Sequence, residues 1–195
     1  MNAKKSRNLV NFLAEIGQLK RVKRSGWWVA GIKEPESVAE HNLRTVIIGY
    51  IIAKMEKVNP YPVILTALFH DIHEARMNDL HKISLTYFNF KAVEKKVYRQ
   101  QLKLLDEETM GKEIISALKD YARQSSKAAV IARDADILEC ILQAKEYLDQ
   151  GFSQAKNFLS VGKKYLRTKS AKVLYKQILT WNYQDWWLHL TKFKR

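Results

Sequence analysis

The stretch Pro62-Val-Ile-Leu-Thr-Ala-Leu-Phe-His70-Asp71-Ile-His-Glu74 decides the fold of this chain. Proline is favoured in the first turn of a helix, and an almost wholly apolar run follows it before polar side chains interrupt. At about 100° per residue, His70, Glu74 and Asp71 fall at about 0°, 40° and 100°, on one arc of a helix built for burial. The stretch predicts a buried helix with three polar groups on one side.

Burial of these three polar groups is energetically unfavourable. An imidazole and two carboxylates removed from water cost several kcal/mol unless they are paired or bound to a cation. The stretch therefore predicts a metal site.

Two other apolar helices offer further ligands. Ser37 and Glu40 have the spacing of a capping box, so a helix is expected to start near Ser37 with His41 in its first turns. A third helix, over residues 128–148, carries Asp134 and Asp136. Two residues apart, these carboxylates point about 200° away from each other, so only one can face a metal and helix geometry leaves both open. Mixed nitrogen and oxygen ligation favours Mn, Fe, Co, Ni or Zn over Ca or Mg.

Composition indicates an all-α fold. The chain has 195 residues, of which 47% are hydrophobic, and only seven Gly and three Pro interrupt it, which suits one domain over 1–195. A core-facing helix is expected over 7–19, a surface connector over 20–28 and covering helices over 91–105 and 112–122. The aromatic residues between Trp181 and Trp187 are expected to serve packing.

The only cysteine, Cys140, excludes an internal disulfide and is expected to be a core residue. No leader pattern and no run of about 18 apolar residues is present, so a cytoplasmic protein without a membrane span is predicted. The net charge of +14 suits a phosphorylated metabolite, an anionic surface or nucleic acid, and a Lys-rich composition also fits thermal adaptation. Because the basic residues occur throughout the chain, nucleic acid is possible but not favoured.

Three segments together resemble the HD-domain phosphohydrolases, whose pattern is an early His, an adjacent His-Asp pair and a later Asp. The segments are Glu36-Ser-Val-Ala-Glu-His41, Ala67-Leu-Phe-His70-Asp71-Ile-His-Glu74 with Asp79 five residues on, and Asp136 followed by Ile141-Leu-Gln-Ala-Lys-Glu-Tyr147. Within that family they look like the 5′-deoxynucleotidase branch. The likeness covers roughly residues 19–151, and residues 152–195 are expected to pack as helices on this core or on a partner.

The resemblance implies one helical bundle with a metal site between its central helices, and it selects Asp136 over Asp134. It implies that one divalent transition metal per subunit is held by His41, His70, Asp71 and Asp136. Glu74 would be the catalytic acid-base residue. The implied reaction is hydrolysis of deoxyribonucleoside 5′-monophosphates to deoxynucleoside and phosphate by a homodimer.

Similar enzymes place an Arg-aromatic element before the early His, and Arg24 with Trp27 is the nearest counterpart here. Ser25 and Gly26 separate the two residues, whereas some members have them adjacent. Asp79 is the third expected substrate-binding residue. The Leu80-His-Lys82 that follows it replaces the proline and threonine of some relatives, which bears on the choice between deoxyribose and ribose.

Two alternatives keep part of this interpretation. An HD phosphohydrolase can act on another nucleotide, such as a triphosphate, a cyclic nucleotide or a guanosine polyphosphate. A non-catalytic nucleic-acid-binding protein with a structural metal would also explain the +14 charge and the aromatic C-terminal segment.

Overall fold

A computed structural model of the chain describes residues 2–105, 109–188 and 190. Within these ranges the chain forms α-helices joined by turns and short 3-10 segments, and its only extended pairing is an isolated bridge between Lys23 and Ser37. The helices are α1 Ala3–Ile16, α2 Gly26–Val29, α3 Val38–Met55, α4 Pro60–Phe69, α5 Glu74–Met77, α6 Lys82–Leu85, α7 Phe90–Leu102, α8 Met110–Arg123, α9 Lys127–Asp149, α10 Lys156–Leu159, α11 Val161–Tyr165, α12 Lys169–Thr180 and α13 Asp185–Leu188. The all-α prediction is confirmed.

Helix α9 lies at the centre of the bundle. It packs against six other helices, namely α3, α4, α8, α10, α11 and α12. Its buried apolar residues form a core cluster with Ile52 and Ala53 of α3, Val63 of α4 and Ala171 of α12. This central position carries Asp134 and Asp136 into the interior.

Helix α3 begins as the capping box predicts. The Ser37 hydroxyl accepts a hydrogen bond from the Glu40 backbone N–H at 3.2 Å, and the Glu40 carboxylate accepts one from the Ser37 backbone N–H at 2.5 Å. The cap fixes the first turn of the helix, where His41 is fully buried.

The stretch at 62–74 is not one continuous helix, and that prediction is wrong. Helix α4 ends at Phe69, and the chain then tightens into bonds between residues three apart, with the Glu74 backbone N–H donating to the Asp71 carbonyl at 3.0 Å. Glu74 begins the separate helix α5. The tighter turn brings the polar side chains round faster than a 3.6-residue turn would.

The predicted surface connector at 20–28 is also wrong in part, because Val22, Ser25 and Trp27 are buried. Trp27 packs in a small cluster with Tyr147 at the end of α9 and with Phe158 of α10. The apolar side chains hold an otherwise basic segment against the core.

The C-terminal segment packs on α9 through close contacts. A Cβ atom on Gly162 of α11 would lie 2.6 Å from the Tyr175 ring and 2.7 Å from Ile141, so only glycine lets these helices approach this closely. Helices were predicted over residues 152–195. The structure describes residues 152–188 and 190 of this segment, and the rest lie outside the described residues. None of the helices in the described ranges combines the length and the apolar character that crossing a membrane requires.

Candidate metal centre

Two chain segments bring ionisable side chains together beside α9. His41 comes from the first turn of α3, and His70 and Asp71 come from the turn that follows α4. One potential ligand atom from each of these residues lies within 4.8 Å of the others. Side chains separated widely in sequence thus face a single point.

Asp136 reaches the same point from α9. Its Oδ1 atom lies 3.4 Å from Nε2 of His41 and 3.9 Å from Nε2 of His70. Asp134 points elsewhere: its carboxylate accepts hydrogen bonds from the backbone N–H groups of Arg167 and Thr168, at 3.0 and 2.7 Å, and from the Thr168 hydroxyl. Asp134 therefore holds Thr168, the N-cap residue of α12, while Asp136 faces the histidines.

Each imidazole is oriented by the nitrogen that faces away from this point. Nδ1 of His70 lies 2.9 Å from the Ala67 carbonyl oxygen, and Nδ1 of His41 is hydrogen bonded to the Glu139 carboxylate. A carbonyl can only accept, so Nδ1 of His70 donates to it, and Nε2 is the ring nitrogen left to face the other side chains. Both Nε2 atoms are turned inward, as metal-binding histidines require.

Two inward atoms lack hydrogen-bond partners among the described residues. They are Nε2 of His70 and Oδ2 of Asp71, and both are buried. An unsatisfied buried polar atom costs about 1–3 kcal/mol, and more when it carries charge. A divalent cation would satisfy both atoms, so the residues present fit a metal ion.

Neighbouring charges shift the pKa values of the side chains at the centre. Burial and nearby Arg24 disfavour the protonated imidazole of His41, but Glu139 and Asp136 outweigh them and raise its pKa to about 10. Burial would raise the pKa of Asp136, yet its hydrogen bond to His41 and the charge of His70 hold that pKa well below its usual range. The centre thus offers negative oxygens together with an imidazole that must lose its proton before it can bind a metal.

Glu74 lies beside this group without belonging to it. Its side chain is buried, and Oε2 has no hydrogen-bond partner among the described residues. Burial, followed by the charges of Asp71 and Asp79, raises the pKa of Glu74 well above the usual value. A buried carboxyl group with a raised pKa suits proton transfer near neutral pH.

Arg24 and Asp79 are also brought to the centre. Nη1 of Arg24 lies 3.7 Å from Oδ2 of Asp71, and its side chain is only partly buried. Asp79 accepts a hydrogen bond from the Ser25 backbone N–H at 2.6 Å. The bond ties the segment after α5 to the backbone next to Arg24 and so fixes where the guanidinium emerges.

Trp27 is not brought to the histidines. Its side chain is 2% exposed, and the indole N–H donates to Glu36 at 3.0 Å. The expected substrate contact of Trp27 therefore finds no open surface in this structure, and the residue lies in the core cluster around Tyr147.

Sequence reasoning missed several residues around the centre. Glu139 holds His41 and also binds Arg44, whose Nε donates to it at 2.9 Å. Tyr121 donates to Oδ2 of Asp136 at 3.0 Å. Glu139 follows Asp136 by three residues, a spacing that puts both on one face of a helix, so the signal was present in the sequence.

A helical bundle in which an early His, a His-Asp pair and a later Asp converge defines a class of metal-dependent hydrolase fold. The family model described as "HD domain" matches residues 16–175, and the chain belongs to this family.

The chain is similar in sequence to proteins named 5′-deoxynucleotidase and in fold to a solved structure. The chain is 34% identical over 149 residues to a 5′-deoxynucleotidase of Bos taurus, covering 76% of this chain and 72% of that protein. It is 31% identical over 151 residues to a 5′-deoxynucleotidase of Schizosaccharomyces pombe, covering 75% and 76% of the two chains. A solved structure from Archaeoglobus fulgidus matches with a TM-score of 0.66 and 30% identity, covering 93% of this chain and 99% of that one.

Proposed function

We propose that this protein hydrolyses deoxyribonucleoside 5′-monophosphates to deoxynucleoside and phosphate, with a divalent metal bound by His41, His70, Asp71 and Asp136. The observation that carries the proposal is a pair of buried ligand atoms without a hydrogen-bond partner among the described residues, Nε2 of His70 and Oδ2 of Asp71. They lie 3.2 Å from each other in a group that also contains His41. The substrate class follows the names of the relatives in Bos taurus and Schizosaccharomyces pombe.

Two imidazole nitrogens and two carboxylates form a mixed donor set. Such a set favours Mn, Fe, Co, Ni or Zn, and we propose one such ion per subunit. When bound, the metal supplies positive charge at the phosphoryl group and makes water a stronger acid. All other steps are assigned to side chains of the protein.

Arg24 is proposed to bind the phosphate. A phosphate monoester is a dianion near neutral pH, and a guanidinium can donate two parallel hydrogen bonds to its oxygens. Asp79 would position this side chain through the Ser25 backbone N–H, since that bond fixes the neighbouring residue.

Glu74 is proposed to move the proton. Water attacks phosphorus, the bond from phosphorus to the 5′-oxygen breaks, and the nucleoside 5′-oxygen leaves with the proton that the attacking water gave up to Glu74. Glu74 would accept the proton of the attacking water through Oε2, which has no hydrogen-bond partner in the described part of the protein. Its raised pKa would make the carboxylate a stronger base than an exposed glutamate.

The test is phosphate release from a substrate panel, with the metal-depleted protein reloaded separately with Mn, Co, Ni, Zn or Mg. We expect release from deoxyribonucleoside 5′-monophosphates and none without metal. The panel also contains ribonucleoside monophosphates, deoxynucleoside triphosphates, cyclic nucleotides and guanosine polyphosphates. Turnover confined to one of those classes would replace the proposed substrate, and no turnover of any member with any metal would reject the proposed activity.

A homodimer is proposed for the assembly. The outer face of α3 exposes a stripe of apolar side chains that are between 43 and 66% exposed, namely Leu43, Ile47, Tyr50, Ile51 and Met55. A contiguous apolar patch of this kind marks interaction sites. Sedimentation equilibrium should give twice the chain mass of 22.8 kDa, and Ile47→Lys should shift it to the monomer, whereas Val173→Lys on α12 should not. A monomeric parent protein would reject the dimer.

A further inference from the structure

Arg133 of α9 is an arginine at the metal centre that none of the roles above uses. Its Nη1 atom lies 3.1 Å from Oδ2 of Asp136, the carboxylate oxygen opposite the one that faces the histidines. The same Nη1 donates to the Tyr121 hydroxyl at 3.0 Å. The guanidinium therefore lies one carboxylate away from the point on which the ligand atoms converge.

The Arg133 guanidinium is held by its neighbours but remains accessible to solvent. Its carbon lies 5.8 Å from the centre of the Tyr121 ring, and that ring is in turn 5.8 Å from the His70 ring. The side chain is nevertheless 53% exposed, and Nε and Nη2 donate to no residue in the described ranges. A held guanidinium with unused donors is preorganised for an anion.

The two arginines at the centre are arranged alike. Arg24 lies beside Asp71 and Arg133 lies beside Asp136, and both of these carboxylates are partly open to solvent, at 13 and 16% exposure, while His41 is fully closed. Each of the two partly exposed carboxylates therefore has a guanidinium group beside it.

We infer that Arg133 is a second phosphate-binding residue, which together with Arg24 holds the phosphate group of a phosphate monoester at the centre. The inference rests on the proposed function for its substrate class. A dianion carries charge over three oxygens, so one guanidinium leaves part of that charge unpaired, and a second one binds it with further charge-assisted hydrogen bonds.

The competing role for Arg133 is to position Asp136. Tyr121 already donates to the same carboxylate oxygen at 3.0 Å, so removal of Arg133 leaves Asp136 with a hydrogen-bond donor. The two roles therefore predict different losses: phosphate affinity in one case, metal affinity in the other.

The experiment measures inorganic phosphate binding to the Mn-loaded full-length protein by calorimetry, together with Mn affinity, for the parent, Arg133→Met and Arg133→Lys. Arg123→Met is the matched control, because it removes the same charge from the exposed end of α8. We expect Arg133→Met to weaken phosphate binding about tenfold or more, with Mn affinity unchanged within about twofold. Arg133→Lys should fall between parent and Met, and Arg123→Met should match the parent.

Unchanged phosphate affinity in Arg133→Met would overturn the inference. So would a loss that saturating Mn restores, because that result would assign Arg133 to the positioning of Asp136. Since phosphate binding is measured without nucleotide turnover, a protein that binds phosphate through Arg133 but hydrolyses no nucleotide would reject the proposed activity and keep the phosphate site.

Discussion

Glu139 and His41, 98 residues apart in the chain, form a hydrogen-bonded pair in which both side chains are fully buried. The carboxylate holds Nδ1 of the imidazole, so Nε2 is turned towards Asp136. Arg44 binds the other oxygen of Glu139 and also contacts Glu146 at 2.6 Å. The orientation of one proposed ligand is thus fixed from a different helix.

Replacement of Glu139 should therefore weaken metal binding although this residue is not a proposed ligand. We expect Glu139→Ala to lower Mn or Co affinity about 10- to 100-fold, the usual effect of removing such a supporting carboxylate. Chelator competition measures it. Glu146→Ala is the control, since it removes another carboxylate from Arg44 but none from His41, and an equal loss in both variants would contradict the assignment.

Glu74→Gln should separate metal binding from turnover. Glutamine keeps the size of the side chain but cannot accept the proton of water, so kcat should fall by about 10²- to 10⁴-fold while metal content stays at the parent level. Metal analysis and phosphate release on the same preparations check both statements. Glu113→Gln, on the exposed face of α8, should leave both quantities unchanged. Full turnover in Glu74→Gln would exclude the proton-transfer role.

The stability of the metal-free protein should fall with rising pH because of His41. Its pKa is raised to about 10 in the folded protein, above the value of about 6.5 for an unfolded histidine. The resulting stabilisation is fully present below about pH 6.5 and is lost as the pH rises through the pKa of His41 in the folded protein. Between pH 7 and 9 we expect the free energy of unfolding to fall by about 1 kcal/mol per pH unit relative to His41→Asn. Urea unfolding measures this difference, and parallel curves for the two proteins would refute it.

Replacement of Asp134 should lower stability, whereas replacement of Asp136 should lower metal affinity. Asp134→Ala removes the acceptor of the Arg167 and Thr168 backbone N–H groups, just ahead of α12, and should destabilise the protein by about 1–3 kcal/mol without changing metal affinity. Asp136→Ala should weaken metal binding at least about tenfold. Urea unfolding and metal titration of both variants test the assignment, and metal loss in Asp134→Ala alone would reverse it.

Gly162→Ala should destabilise the packing of α11 on α9. The added Cβ would lie under 3 Å from both Tyr175 and Ile141, and overpacking of this kind costs about 1–3 kcal/mol. Gly17→Ala is the matched control, because nothing lies within 4 Å of its Cβ position and its φ of −57° suits alanine. Thermal unfolding of the two variants should therefore diverge, and equal melting temperatures would contradict the close approach.

Local signals predicted much of this fold. The capping box at Ser37 and the apolar helix that carries Asp136 depend on residues close in sequence, and both were placed within a residue or two. The break after Phe69 was not predicted, because a tightened turn and a continuous helix leave the same apolar pattern.

The surroundings of the site were harder to predict. The burial of Trp27 depends on Tyr147 and Phe158, more than 100 residues further along the chain. Glu139 was missed because a single acidic residue on a helix is usually solvated, and only the approach of His41 from α3 gives it a buried partner. Residues that orient other side chains can be identified only from the assembled helices.

The opposite directions of Asp134 and Asp136 also constrain how this chain can change in length. One residue inserted into α9 ahead of Asp134 would turn both carboxylates by about 100° relative to the preceding part of the helix. The carboxylate that holds Thr168 at the start of α12 and the carboxylate that faces the histidines would then be displaced together. Insertions should be tolerated in the loops at either end of α9 and rejected within its first two turns, so the number of residues between Ser126 and Asp134 is itself part of the site.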